Sequence, residues 1–392
     1  MAYETNTYYS RTILAILSFL IFVFIFRYSL YLVEMPAINT MFSMLRFVCW
    51  GLFILIYIAR PKKPDRIGFW LLAYGIFVFA VSLLKNADSP FSVVSIGMDV
   101  IILWGIFNIY YDQFAERILR LILFAFCACI YTNAILLVLF PDGIWTNANN
   151  LNFFLLGGNY NQMGGVMLPA LSIHAYYTTL YKKWHLNFWL LFIVSVCSIL
   201  TVGSKTTTIG LFLFLAIYLI KSYRLRKWSL IILFSIYLTF QFMAVFLNKD
   251  FSSYPIITYF IEEVLGKDTT FTYRTDVWLQ TFRFIYESPL YGYGYLSPDW
   301  YEEIFYVRST HNWVLYILMC GGLIGLSLIT GALLSVVRKY YQNGRTPSVQ
   351  IVLGGLLVLF FMMIMEVYPF IFIILLMFVI YYHQDNRSTD VL

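Results

Sequence analysis

Long apolar runs follow one another along nearly the whole chain. A helix rises about 1.5 Å per residue, so roughly 20 apolar residues cover the hydrocarbon layer of a bilayer. Such runs fall at about 12–33, 38–59, 67–85, 91–111, 117–140, 160–181, 187–202, 205–221, 228–247, 311–337, 349–366 and 368–383. Membrane-spanning strands would instead show segments of about 10 residues with alternating polarity. The pattern predicts an all-α, polytopic membrane protein of about 12 transmembrane helices, with residues 1–392 forming a single integral membrane domain. Tyr368-Pro369 divides the last two runs and reads as a tight turn between two short helices.

Composition agrees. Charged residues make up 12% of the chain, against about 25% in soluble domains. With a mean hydropathy of +0.77, this excludes an ordinary cytosolic enzyme, a nucleic-acid-binding domain and a disordered chain. The net charge of +6 reads as membrane topology. Arg60 to Lys63 with Arg66, Lys182-Lys183, Lys221 to Lys227, and Arg338-Lys339 with Arg345 all fall on one side if the N-terminus is inside. The positive-inside rule then predicts cytoplasmic N- and C-termini. The first run carries no small-residue cleavage site, so the sequence predicts that it is retained as a first span. Cys49, Cys127, Cys129, Cys197 and Cys320 lie in apolar runs and read as small buried hydrophobes. Asp99, Arg46, Arg27 and Glu34, in or near spans, read as structural pairs or anchors. No internal repeat is visible, which weighs against inverted-repeat transporter folds.

Two outward segments are long. One is 141–159, rich in Asn and Gly. The other is 248–310, between the ninth and tenth spans. Loops of that length in a compact protein are usually functional. The second is expected to be partly helical, with a short helix over 256–265, capping residues at 268–272, and an amphipathic helix over 273–287. In the last, Val277, Trp278, Thr281, Phe282 and Ile285 recur at helical spacing.

Several outward residues can carry chemistry. His311 follows Ser309-Thr310, which read as N-cap residues of the tenth span. A helix N-terminus disfavours imidazolium, and a neutral imidazole can accept a proton from a sugar hydroxyl. The plainer reading is an interfacial histidine bonded to a loop carbonyl. Arg274 opens the loop helix and shares a face with Trp278. A guanidinium there can clamp a diphosphate, or pair with Asp276, Glu262 or Glu263. Lys205 opens the eighth span, where the helix dipole is already positive. With Ser204 and Thr206 it makes a candidate phosphate site; the alternative is a lysine snorkelling to the interface. Glu366, at the outward end of the eleventh span, is a candidate to orient an acceptor hydroxyl or to pair with a cation. Asn159, Asn161 and Gln162 precede the sixth span as candidate sugar contacts, although a helix cap explains Asn159 equally well. The aromatic residues of 291–313, Tyr293 among them, suit sugar stacking as well as the membrane-interface belt. The chain has no Asp-x-Asp, no phosphate-loop motif and no histidine cluster, so no metal site and no cofactor are expected.

The order of these elements is Gly203-Ser204-Lys205-Thr206, then Arg274-Thr275-Asp276, then Pro289-Leu290-Tyr291-Gly292-Tyr293-Gly294, then His311-Asn312, then Gly322-Leu323-Ile324-Gly325. It resembles the membrane O-antigen ligase and polymerase family, the Wzy-like polysaccharide polymerases of bacteria. The resemblance covers about 160–330. Lys205 departs from it, because the family favours Arg in the serine-rich turn. The resemblance implies a GT-C-like fold in the bacterial plasma membrane. It also implies polymerisation of oligosaccharide repeats carried on undecaprenyl diphosphate, by metal-independent inverting transfer at the outer face. His311 would act as base, with Glu366 as a second catalytic candidate. Arg274, Lys205, Ser204 and Thr206 would hold diphosphate; Asn312, Asn161, Asn159 and Tyr293 would hold glycan. Partners would be lipid-linked glycans, membrane lipid, and a chain-length regulator and flippase of the same pathway, with no nucleic acid. A glycan ligase of the same family is the first alternative. A flippase or exporter of lipid-linked oligosaccharides is another, although a transporter would place its charges nearer the bilayer midplane.

Overall fold

The computed structural model describes residues 2–146, 152–247, 273–343 and 345–383. The expected helix over 256–265 and its capping residues at 268–272 lie outside them. The helices are α1 (Ala2–Ser29), α2 (Pro36–Ala59), α3 (Arg66–Leu84), α4 (Pro90–Gly105), α5 (Tyr111–Leu139), α6 (Gly164–Tyr181), α7 (His185–Val202), α8 (Lys205–Leu219), α9 (Tyr223–Phe240), α10 (Arg274–Glu287), α11 (Pro298–Phe305), α12 (Trp313–Asn343), α13 (Pro347–Met362) and α14 (Phe370–Tyr381). Their starts follow local chemistry. Pro36, Pro90, Pro298 and Pro347 occupy first helical positions, where a missing N–H costs nothing. Asp65, Ser222, Ser297 and Thr346 accept first-turn amides as N-caps.

Every expected span coincides with a helix, although not all have membrane-spanning length. Among the described residues, 7 helical runs are long and apolar enough to cross a membrane. The expected spans 91–111 and 117–140 merge into one 50-residue run, Pro90–Leu139. It passes through a π-turn at Ile106–Tyr110 and a break at Phe114 (φ −130°, ψ 22°). α8, α13 and α14 are shorter, at 15, 16 and 12 residues. The last two are cut short by the non-helical link 363–369, which ends at Pro369 and places Glu366 between two helices. The chain is a multi-pass, all-α membrane protein.

α6 and α14 are buried on every side, from Gly164 to Thr178 and from Ile371 to Ile380, and with α13 they form the centre of the bundle. α2 and α9 lie outside and expose Phe47, Leu55, Ile232 and Ile236. Lipid is as apolar as leucine, so helix association there depends on close packing and on buried polar pairs. Both occur. Gly355 of α13 abuts Ser172 of α6, and Asp99 of α4 pairs with Arg46 of α2 while accepting from Tyr28 (2.7 Å) and Trp50 (3.0 Å). Within the segment 141–159, Trp145–Thr146 and Asn152–Phe153 form an antiparallel pair, β1 and β2, with Trp145 opposite Phe153. The segment is tied to the ends of α1 and α5 through Tyr31 N–H to Leu155 O (2.7 Å) and Leu156 N–H to Asn133 Oδ1 (2.9 Å).

The two glycine-rich motifs form a single clasp. α12 is broken at Gly322 (φ 57°, ψ −157°), in a backbone conformation that only glycine adopts readily. The break orphans carbonyls above it and amides below it. Tyr293 N–H and Gly294 N–H donate to Met319 O (2.8 Å) and Cys320 O (3.0 Å). Leu323 N–H and Ile324 N–H donate to Pro289 O (2.9 Å) and Leu290 O (3.2 Å). A Cβ on Gly292 would lie 2.5 Å from Met319 O. The clasp fixes the chain between α10 and α12 against the broken helix.

Candidate active site

Arg274, the first residue of α10, turns inward. Val277, Trp278 and Thr281 of the same helix are buried, so the amphipathic stripe seats α10 on the bundle and carries Arg274 with it. Its Nε donates to Met365 O (2.9 Å) and its Nη2 to Glu366 Oε1 (2.6 Å). The two side chains are only 10% and 3% exposed. The anionic partner is thus Glu366, 92 residues away in sequence; Glu262 and Glu263 lie outside the described residues.

His311 meets the same carboxylate from the other side, with Nδ1 3.4 Å from Glu366 Oε2 and its side chain 24% exposed. It sits at φ +51°, a strained conformation for a non-glycine residue, two residues before α12. The helix cap differs from the expected Ser309-Thr310. Asn312 Oδ1 accepts from Leu315 N–H (3.1 Å), and Thr310 Oγ1 donates to Asn312 O (2.8 Å). Asn312 is fully buried. Its Nδ2 donates to Ile364 O (3.1 Å) and Gln241 Oε1 (3.0 Å), and its Oδ1 also accepts from Gln241 Nε2 (3.2 Å). Protein groups therefore fill its hydrogen-bonding positions, and it is not placed to bind a sugar. Together with Trp313 N–H on Met363 O (3.1 Å), Asn312 pins the link that carries Glu366 against the start of α12.

The remaining candidates converge in part. Gln162 Nε2 lies 3.5 Å from Glu366 Oε2. Beside it, Asn161 Oδ1 accepts from Ser204 Oγ (3.1 Å), which also lies 3.0 Å from Thr207 Oγ1. The α8 N-terminus is thereby linked to the Glu366 group, with Lys205 exposed and Thr206 half-buried at its first turn. Lys205 forms no ion pair among the described residues. Asn159 Oδ1 accepts from the amides of Asn161 (2.8 Å) and Gln162 (3.1 Å), a local cap. Tyr293 stands apart in the clasp, where its hydroxyl contacts Phe284 O (3.1 Å) and Glu287 Oε2 (3.0 Å).

The electrostatics follow. Burial pushes the Glu366 carboxyl up, but His311 and Arg274 together outweigh it and hold the group below the ordinary carboxylate value. These two neighbours thus favour the carboxylate form of Glu366. A carboxylate beside Nδ1 favours the tautomer with its proton on Nδ1, which leaves Nε2 to accept a proton. Sequence reading missed the Gln241–Asn312 pair and the Gln162–Glu366 contact; a lone glutamine inside an apolar run was the available signal for Gln241. Among the described residues no group of three or more His, Cys, Asp or Glu side chains comes together.

An apolar groove of about 560 Å³ adjoins this group. α3 and α4 form one wall, with Gly75 and Gly97, while Trp313 and Phe370 lie opposite; its polar lining includes Gln162, Arg308 and Ser309. Gln162 thus borders the groove and also reaches Glu366.

Residues 190–330 match the family model described as O-antigen ligase. Comparison with curated proteins and with solved structures found no match. The matched segment holds Lys205, Arg274 and His311, and the fold brings Glu366 to Arg274 and His311 from beyond its end. Over that segment the chain resembles an O-antigen ligase/polymerase-like family.

Proposed function

We propose that this chain is a glycosyltransferase of the plasma membrane that moves a glycan from a lipid diphosphate to an acceptor hydroxyl. The observation that carries this reading is the buried Arg274–Glu366–His311 array beside an apolar groove. Glu366 orients His311, and Nε2 of His311 takes the proton of the acceptor hydroxyl as its oxygen attacks the anomeric carbon. The bond from that carbon to the diphosphate oxygen breaks, and its electron pair leaves with the diphosphate. Arg274 and Lys205 stabilise the negative charge that develops there. One direct displacement inverts the anomeric centre. The groove suits a polyprenyl tail, since its lining is apolar and it borders the polar group at Gln162. Asn161, which accepts from Ser204 at the start of α8, would meet the first sugar, and Thr206 the diphosphate.

The finer reading is polymerisation of undecaprenyl-diphosphate-linked repeats into capsular, exo- or O-antigen polysaccharide, on the membrane face opposite the basic loops. Ligation of a finished glycan to another acceptor uses the same chemistry. The lipid-linked glycan profile of a deletion strain separates the two. Single repeats accumulating on lipid support a polymerase, and long unattached chains support a ligase. An unchanged profile would overturn both.

A further inference from the structure

A second concavity, this one charged, lies at the opposite end of the bundle from His311, between Arg11 of α1 and the first turns of α5. It measures about 670 Å³; Arg11, Arg117 and Arg120 line it together with Phe114, Ala115 and Glu116. Its shape comes from the backbone. The π-turn at Ile106–Tyr110 and the break at Phe114 bend the chain here, so that residues on either side of Phe114 line one hollow.

The charges around it do not cancel. Glu116 accepts from Lys183 Nζ (2.9 Å) and Tyr177 Oη (3.1 Å), and Arg120 Nε approaches it only to 3.9 Å. Asp112 lies 4.0 Å from Lys62. Four cationic groups thus surround one carboxylate that a lysine already engages. Depth matters as well. Arg11 directly precedes the apolar run that opens at Thr12, which sets the hollow at the edge of the hydrocarbon layer.

We propose that this concavity binds the phosphate of an anionic phospholipid in the leaflet on the side of the basic loops. Guanidinium forks match phosphate oxygens in pairs, and basic hollows between helices at headgroup depth suit acidic lipid heads. Phe114 and Ala115 offer an apolar surface for the first carbons of the lipid. The bound phosphate ties the start of α1 to the bend of α5, two parts of the chain about a hundred residues apart.

Native mass spectrometry of the purified full-length protein tests this, with phosphatidylglycerol and phosphatidylcholine as probes. The expected result is preferential retention of one phosphatidylglycerol, weakened about fivefold for each arginine removed in Arg117→Gln/Arg120→Gln. Arg117→Lys/Arg120→Lys should bind between the two, since charge is kept and the fork is lost. Lys221→Gln/Arg224→Gln, on exposed residues of another basic loop, should bind as the unmodified protein does. Equal retention of both lipids, or equal loss in the Lys221/Arg224 variant, overturns the proposal. Displacement of the lipid by millimolar inorganic phosphate would overturn the lipid assignment and make this a site for soluble phosphate.

Discussion

Glu366→Gln removes one charge and keeps the shape of the side chain. In the structure this carboxylate receives Arg274 at 2.6 Å and His311 at 3.4 Å while only 3% exposed. Deleting one partner of a buried ion pair costs roughly 3–5 kcal/mol. The amide can still accept one hydrogen bond from Arg274, so the loss of stability should fall at or below the lower end of that range. The kinetic effect should be larger. A glutamine can present an amide N–H to Nδ1 and favour the wrong imidazole tautomer, which removes the base at Nε2. General-base catalysis contributes about 10²–10⁴-fold, and transfer by Glu366→Gln should fall within that range. The assay is glycan transfer from a lipid-linked donor in proteoliposomes, with each variant's content matched. His311→Ala supplies the decisive comparison. If Glu366 acts through His311, the double variant should be no slower than His311→Ala alone. Rate losses that multiply would refute the positioning role, and an unimpaired Glu366→Gln would refute the array.

Other outcomes follow from the same geometry. Because the folded Glu366 carboxyl lies below its ordinary value of 4.5, its stabilisation is complete above that value and fades as pH falls through the folded one; the melting difference between unmodified protein and Glu366→Gln should be constant above about 4.5 and shrink below it. Lys205→Arg should be tolerated, since charge is kept at the α8 N-terminus, while Lys205→Ala should lower transfer about 10-fold or more, as expected for loss of a charge-assisted contact of roughly 1.5–3 kcal/mol. Gly292→Ala should destabilise the protein by more than about 1 kcal/mol, because its φ is +69° and a Cβ there meets the backbone of Met319, Gly321 and Gly322; a melting temperature equal to the unmodified protein's would show that the clasp can give way.

Much of the architecture was legible because a bilayer demands long apolar runs and punishes charge. The amphipathic spacing of Val277, Trp278 and Thr281 likewise announced which face of α10 is buried. Breaks inside apolar runs were less visible. Hydropathy does not register the Gly322 break or the π-turn at 106–110, since both are backbone events within largely apolar runs. The candidate residues were visible one by one as polar groups at span ends, but their pairing was not. Arg274 and Glu366 are joined by the tertiary path of α10 and the 363–369 link, which no local pattern encodes. The setting of Asn312 was hidden for a related reason. Its partners Gln241 and Ile364 come from two distant helix ends, so its structural role appears only once α9, α12 and α13 are packed.

The most direct measurement supplies purified protein in proteoliposomes with a polyprenyl-diphosphate-linked repeat unit, then separates the lipid-linked products by length. Unmodified protein should release polyprenyl diphosphate and build glycans longer than the unit supplied, while His311→Ala, reconstituted in equal amount, should do neither at a comparable rate. Release and elongation by His311→Ala at the unmodified rate would contradict the account.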